Sequence, residues 1–254
     1  MSGEPEDLAE GTLISHLLEL RTRLMRAFLA VLVVLIPCVY YSNDLFGILA
    51  RPLKAQLPPG SALVATDITS TFTVPFKLAF ITALIIAMPV VLYQIWAFVA
   101  PGLYRREKRF ARPLLVSAVL LFYAGAAFAY FAVFPAMFRF FIGTTPADVS
   151  IMSDIKNYMD LSLLMTLGFG LAFEMPIAVV LLVLTEIVTV KKLTSVRGYV
   201  LIGIFVVAAV LTPSPDPVSQ TIMALPMYLL YEGGIIFARL LSRGQPAEDQ
   251  QDAA

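Results

Sequence analysis

The sequence predicts an all-α integral membrane protein with six transmembrane helices, and three observations carry that expectation. Of its 254 residues, 59% are hydrophobic and 14% charged, against about 25% charged in an ordinary soluble domain. The charges cluster between long apolar stretches, most of them near the roughly 20 residues a bilayer-spanning helix needs. Lys and Arg near the ends of those stretches are split unevenly between the two sides that alternating spans create.

The first span begins after Arg26 and covers 27–41, the second lies within 78–104 and the third within 113–138. The fourth, 161–185, contains one charge, Glu174. The fifth covers 198–211 and the sixth 217–231, with 238 as its furthest limit. Pro37, Pro89, Pro176 and Pro226 fall inside these helices and read as kinks, because bundle neighbours re-satisfy the freed carbonyls. At about 1.5 Å per residue the fifth span reaches only about 21 Å, against about 30 Å of hydrocarbon. Spans five and six are therefore expected to be short and to thin the bilayer around them.

Topology follows from the basic residues. One side collects thirteen: Arg21, Arg23 and Arg26, the five of 105–112, Lys191, Lys192 and Arg197, and Arg239 and Arg243. The other side has five: Arg51, Lys54, Lys77, Arg139 and Lys156. The positive-inside rule then puts both termini in the cytoplasm, which an even number of spans also requires. The expected organisation is one polytopic domain: an acidic flexible head at 1–13, a six-helix membrane core at 14–238 and a cytoplasmic tail at 239–254. The outer segments 42–71 and 136–158 are long enough to form a structured cap, while 212–216 is a short Pro-rich turn. No inverted repeat of the kind that marks many transporters is visible. The acidic start lacks a small-residue cleavage site after the first apolar run, so no cleavable signal is expected.

Several classes of function are excluded. One Cys and one His leave no intramolecular disulfide and no His/Cys metal site; Cys38, in an apolar stretch, reads as a packing residue. There is no His-Glu-x-x-His segment and no Gly-rich loop followed by Lys. The single His16 sits at the wrong end of a helix for a Ser-His-acid arrangement. No enzyme, metal, cofactor or nucleic-acid partner is expected. Acidic and basic residues balance at 18 each, so net charge points to no partner.

Glu174 is the sharpest single feature, since an acid near the centre of a span costs on the order of 3 kcal/mol to insert. It is either a polar contact for a partner helix, substrate or proton path, or a carboxyl bonded to a neighbouring helix or to carbonyls loosened by Pro176. Glu19 lies on an amphipathic N-terminal segment and, four residues from Arg23, reads from the residues alone as a routine helix pair. His16 reads as an interfacial polar residue. Glu107 sits among Arg105, Arg106, Lys108 and Arg109, which favour its ionised form; taken alone, that loop is a poor place to catch a cation. Trp96, Phe98 and Tyr104 resemble an interfacial aromatic belt. In the turn at 212–217, Asp216 or Ser219 can cap the following helix, and Asp216 and Gln220 stand equally well as a docking point.

These residues fall into recognisable segments: HLLELRTRL at 16–24, YQIWAFVAPGLY at 93–104 with its basic tail, FEMP at 173–176, and 212–220. Together, and in this order, they resemble the TatC family, the multi-spanning subunit of the twin-arginine protein translocase. The resemblance runs from about residue 14 to 239, leaving out the acidic head and the tail after Arg243. It implies export of folded proteins across a bacterial inner membrane, driven by the proton-motive force, with no nucleotide. It also implies TatA-type and TatB-type single-span partners, self-oligomers and contact with membrane lipids.

Position by position, the resemblance implies that Glu19 and Glu107 meet the two arginines of a signal peptide. Charge-assisted bidentate pairing suits guanidinium recognition. Arg21, Arg23, Phe98 and Leu103 would belong to the same site. Because the loop around Glu107 is basic, Glu19 must supply part of the negative field. Pro52 would belong to the outer cap. Glu174 would be the intramembrane acid that contacts partner helices, and Thr212, Asp216 and Gln220 would mark where such helices dock. The competing expectation is a proton-coupled small-solute transporter using Glu174; spans two, three and five contain no ionisable residues to continue such a path. A purely structural membrane scaffold is a third.

Overall fold

The computed structural model describes residues 4–55, 63–99, 108–146, 152–212 and 216–242. Helix α1, Glu4–Tyr40, is 37 residues long and carries Pro37 inside it. Its backbone is already helical from Glu4, within the acidic head expected to be flexible. Pro5 falls in the first turn, where a missing N–H breaks no intrahelical bond. Helix α2, Ser42–Lys54, buries Leu49, Ala50, Pro52 and Leu53. Strand β1, Leu63–Val64, precedes α3, Ser70–Val99.

Helix α4, Lys108–Phe128, runs without interruption into a π-helical turn, Ala129–Val133, and then α5, Phe134–Gly143. Pro135 falls in the first turn of α5, and its missing N–H suits a ladder that has already widened there. Strand β2, Ser153–Asp154, leads into α6, Ile155–Ala172. Helix α7, Met175–Leu184, follows after a two-residue break; α8, Val190–Ser195, α9, Arg197–Leu211, and α10, Pro217–Ser242, complete the order. Five stretches are long and apolar enough to cross a membrane: His16–Tyr40, Ser70–Phe98, Arg112–Gly143, Ile155–Leu184 and Pro217–Leu241. Arg197–Leu211 is a shorter apolar helix of 15 residues. The protein is thus an all-helical membrane protein, its short β1–β2 pairing aside.

Two compact units share the chain. In the first, Met1–Ile48 with Thr71–Val119, α1 packs on α3. Val31 and Cys38 lie against Ala79, Ala83 and Ala87, with Val34, Leu35, Leu84 and Val91 around them. The alanines recur every fourth residue, so they line one face of α3 and let the helices approach closely. Cys38 has the packing role expected of it.

The second unit comprises Leu49–Ser70 and Leu120–Ala254. Phe122, Phe134, Phe169, Met159, Met165, Met223 and Met227 are almost wholly buried in it. Glycines set its close crossings. A Cβ at Gly170 would lie 2.7 Å from the Phe122 ring, and one at Gly125 would collide with the Phe169 carbonyl oxygen.

The segments expected to form a cap are joined to one another. Strands β1 and β2 pair in parallel, Leu63 with Ser153 and Val64 with Asp154. The Thr66 hydroxyl and N–H both donate to the Asp154 carboxylate, and Lys156 Nζ lies 3.7 Å from Asp67 Oδ2. Tyr158 donates its hydroxyl to the Leu49 carbonyl at 2.6 Å. Asp154 also caps α6, accepting from the backbone N–H groups of Lys156 at 2.8 Å and Asn157 at 3.0 Å. These bonds, led by that of the Thr66 hydroxyl, hold its carboxyl down to about 2. Asp67 is also lowered, first by the Thr69 side chain and backbone and further by Lys156.

Two expectations need correction. The sixth span is not short as a helix: α10 has 26 residues. Glu232, Gly233 and Gly234 suggest an end after Tyr231, but Glu232 is paired with Arg197. Gly234 serves packing instead, since a Cβ there would lie 2.8 Å from the Pro176 Cα. The fourth span is not one kinked helix: α6 ends at Ala172 and α7 restarts at Met175.

Candidate functional site

Glu19 and Arg23 are less exposed than their neighbours on α1 and continue the face that carries Ala27 and Val31 toward α3. The Arg23 guanidinium donates twice to one carboxylate oxygen of Glu19, from Nε at 2.9 Å and from Nη2 at 2.5 Å. The pair expected from the spacing is therefore made. It also shows that Glu19 sits where a guanidinium can reach it in the plane of its fork. One turn earlier, the His16 ring stacks on Phe98 at the end of α3, with centroids 4.4 Å apart and planes 26° from parallel. Phe98 thus comes beside the segment bearing Glu19. Arg21 is exposed on another face of α1. Leu103 and Glu107 lie outside the described residues.

Glu174 occupies the break between α6 and α7, not a helix interior. Its N–H bonds the Leu171 carbonyl at 3.0 Å and its carbonyl accepts from Ala178 at 2.9 Å. Its side chain is half-buried, and Oε1 has no hydrogen-bond partner among the described residues. A carboxylate oxygen withheld from water without a donor is costly. Beside it, Leu171, Ala172 and Met175 line an apolar groove of about 510 Å³ shared with Gly168, Gly203, Val207, Leu211 and Met227.

At the other end of α9, Thr212 is buried and its N–H bonds the Ala208 carbonyl at 2.9 Å. Asp216 caps α10, with Oδ1 accepting from the Ser219 N–H at 2.7 Å, and the Gln220 N–H bonds the Asp216 carbonyl at 3.1 Å. Of the two readings of Asp216, capping is the one realised in the isolated chain. Pro52 is buried on α2, within the joined cap segments.

The sequence reading overlooked one polar group of the second unit. Arg197 Nη2 lies 2.6 Å from Glu232 Oε2, and the Tyr228 hydroxyl donates to Glu232 Oε1 at 3.0 Å. Tyr231 donates to the Leu193 carbonyl at 2.9 Å. Tyr228 and Glu232 stand four apart, which is a visible cue, but Arg197 is remote in sequence.

A polytopic helical membrane protein with acids placed beside a helix end and at a helix break is the class this fold and site define. Comparison narrows it. The family described as Sec-independent protein translocase protein (TatC) matches residues 15–226. The chain is 49% identical over 248 residues to the Sec-independent protein translocase protein TatC of Azotobacter chroococcum, covering 97% of each chain. It is 47% identical over 238 residues to the TatC protein of Escherichia coli K12, covering 93% of this chain and 92% of that one. A crystal structure described as that of the twin arginine translocase receptor TatC superposes with a TM-score of 0.81 at 36% identity, covering 90% of this chain and 100% of that chain. The chain belongs to the TatC family, whose members are translocase subunits and hence transport proteins, not enzymes. Small-solute transport through Glu174 gives way to this assignment.

Proposed function

We propose that this chain is the signal-peptide receptor and core subunit of a twin-arginine translocase. One observation carries the reading most directly: Glu19, beside the His16–Phe98 stack, already binds a guanidinium of its own chain through two N–H donors. A peptide arginine offers the same fork. A helical i,i+4 pair contributes only about 0.3–0.5 kcal/mol, so exchange of Arg23 for a peptide arginine, or sharing of the carboxylate with it, is cheap. Glu107 takes the second arginine in this reading, with Phe98 and Leu103 as the apolar surroundings and Arg21 and Arg23 setting the local charge.

The chain sits in the inner membrane with both termini in the cytoplasm, so this site faces the cytoplasm and the joined segments around Pro52 form the outer cap. The positive-inside count supports that orientation. The apolar groove beside Glu174 and the polar end of α9–α10 at Thr212, Asp216 and Gln220 take TatA-type and TatB-type helices, assembled with further copies of the chain and with membrane lipids. The cargo is folded protein, and the proton-motive force drives its passage.

The test is capture of a precursor bearing an Arg-Arg signal by the purified chain, compared with a Lys-Lys version. Equal capture of both would overturn the receptor reading.

A further inference from the structure

Gln94 stands out among the polar residues left unused. It lies in the apolar α3 and is only 9% exposed, and its Oε1 has no hydrogen-bond partner among the described residues. A buried amide oxygen without a donor forfeits the interaction it would have in water. Such orphans in otherwise well-packed helices call for a specific explanation.

Its position supplies one. Ala83, Ala87 and Val91 belong to the cluster that packs on α1, and Phe98 stacks on His16. Gln94 falls between Val91 and Phe98 at helical spacing, on that same α1-facing line of α3. The two helices run antiparallel, since His16 meets Phe98 at the end of α3 while Val31 and Cys38, later in α1, lie against the earlier Ala79, Ala83 and Ala87. With His16 level with Phe98, moving one turn back along α3 and one turn forward along α1 brings Gln94 to the level of Glu19, one turn before Arg23. The orphan acceptor, the carboxylate and the aromatic stack therefore share one end of the α1–α3 interface.

We propose that Gln94 is a further binding residue of the signal-peptide site, its Oε1 accepting an N–H from a guanidinium of the bound twin-arginine segment. The inference rests on the receptor reading and extends it. Glu19 offers charge, and Gln94 offers a neutral acceptor in a drier position. A guanidinium, with five N–H donors in one plane, can bond both at once. A lysine ammonium is a compact point charge whose donors do not form that plane. Gln94 therefore contributes to the preference for arginine over lysine as well as to affinity.

The experiment measures binding of a synthetic signal peptide carrying Arg-Arg, and of its Lys-Lys counterpart, to the full chain in detergent. Gln94→Leu removes the acceptor at similar volume, while Gln94→Glu keeps it. Loss of a hydrogen bond to a charged group weakens binding by about tenfold. Gln94→Leu is expected to lose about that factor for Arg-Arg and much less for Lys-Lys, narrowing the preference, while Gln94→Glu retains Arg-Arg binding. Unchanged Arg-Arg affinity in Gln94→Leu sinks the proposal, and so does equal loss in the Leu and Glu variants, which would mark a packing role. In either case a wild-type preference for Arg-Arg leaves the receptor reading standing. A wild-type chain without that preference overturns the receptor reading and this proposal with it.

Discussion

Arg197 at the start of α9 and Glu232 in the second half of α10 form an ion pair, Nη2 to Oε2 at 2.6 Å. The charge that closes the uncharged part of α10 is thus matched by one that opens α9, and α10 continues past it. Glu232→Ala should leave Arg197 unmatched and Tyr228 without its acceptor. We expect a loss of about 1 kcal/mol, the upper end for partly exposed pairs, seen as a lower melting temperature in detergent. The exchange Arg197→Glu with Glu232→Arg should recover part of it. No recovery would show that packing, not charge, holds this end of α9 to α10.

Glu19→Ala should weaken binding of an Arg-Arg signal peptide by about tenfold or more, as expected for loss of a charge-assisted pair. Membrane insertion should be unaffected, because Glu19 lies before the uncharged part of the first span. Glu107→Ala should behave alike. Crosslinking of the peptide that persisted unchanged in the double variant would remove both acids from the site.

Hydrogen bonds, led by that of the Thr66 hydroxyl, hold the Asp154 carboxyl down to about 2 in the folded chain, below the roughly 3.9 of a free aspartate. A depressed carboxyl contributes stability that is fully present above its unfolded value and is lost as pH falls through the folded one. The joining of 63–66 to 153–157 should therefore hold down to about pH 4 and weaken between about pH 4 and about pH 2. Amide exchange at Thr66 and Asn157, whose N–H groups Asp154 accepts, reports on this. In Asp154→Asn the protection of the same amides, taken relative to their intrinsic exchange at each pH, should be lower at neutral pH and change little across that window.

Gly234→Val should destabilise α7 against α10, since even a Cβ would stand 2.8 Å from the Pro176 Cα and 3.1 Å from Val179 Cβ. The expected cost is about 1–3 kcal/mol. Gly233, where a Cβ meets nothing within 4 Å, is the control: Gly233→Ala should melt at the same temperature as the parent or slightly above it. Equal melting of Gly234→Val and the parent would show that α10 shifts freely on α7.

Much of this protein is legible in the sequence. Runs of apolar residues between charges give the spans, because insertion into hydrocarbon depends on local composition and length. The segments around Glu19, Glu107, Glu174 and Asp216 give the family. Local chemistry also places the Asp216 cap and the Glu19–Arg23 pair, each within four residues.

What only the tertiary structure decided joins residues far apart in the chain. Thr66 meets Asp154 across 88 positions, and Arg197 meets Glu232 across 35. The first contact joins the segments around β1 and β2, and the second pairs the charge at which α10 was expected to end. The α1–α3 packing that brings Phe98 to His16 and buries Gln94 is of the same kind. Periodicity tells which residues share a face of one helix. Which partner that face meets, and which polar atoms are left without one, depends on the packing of helices the sequence lists separately.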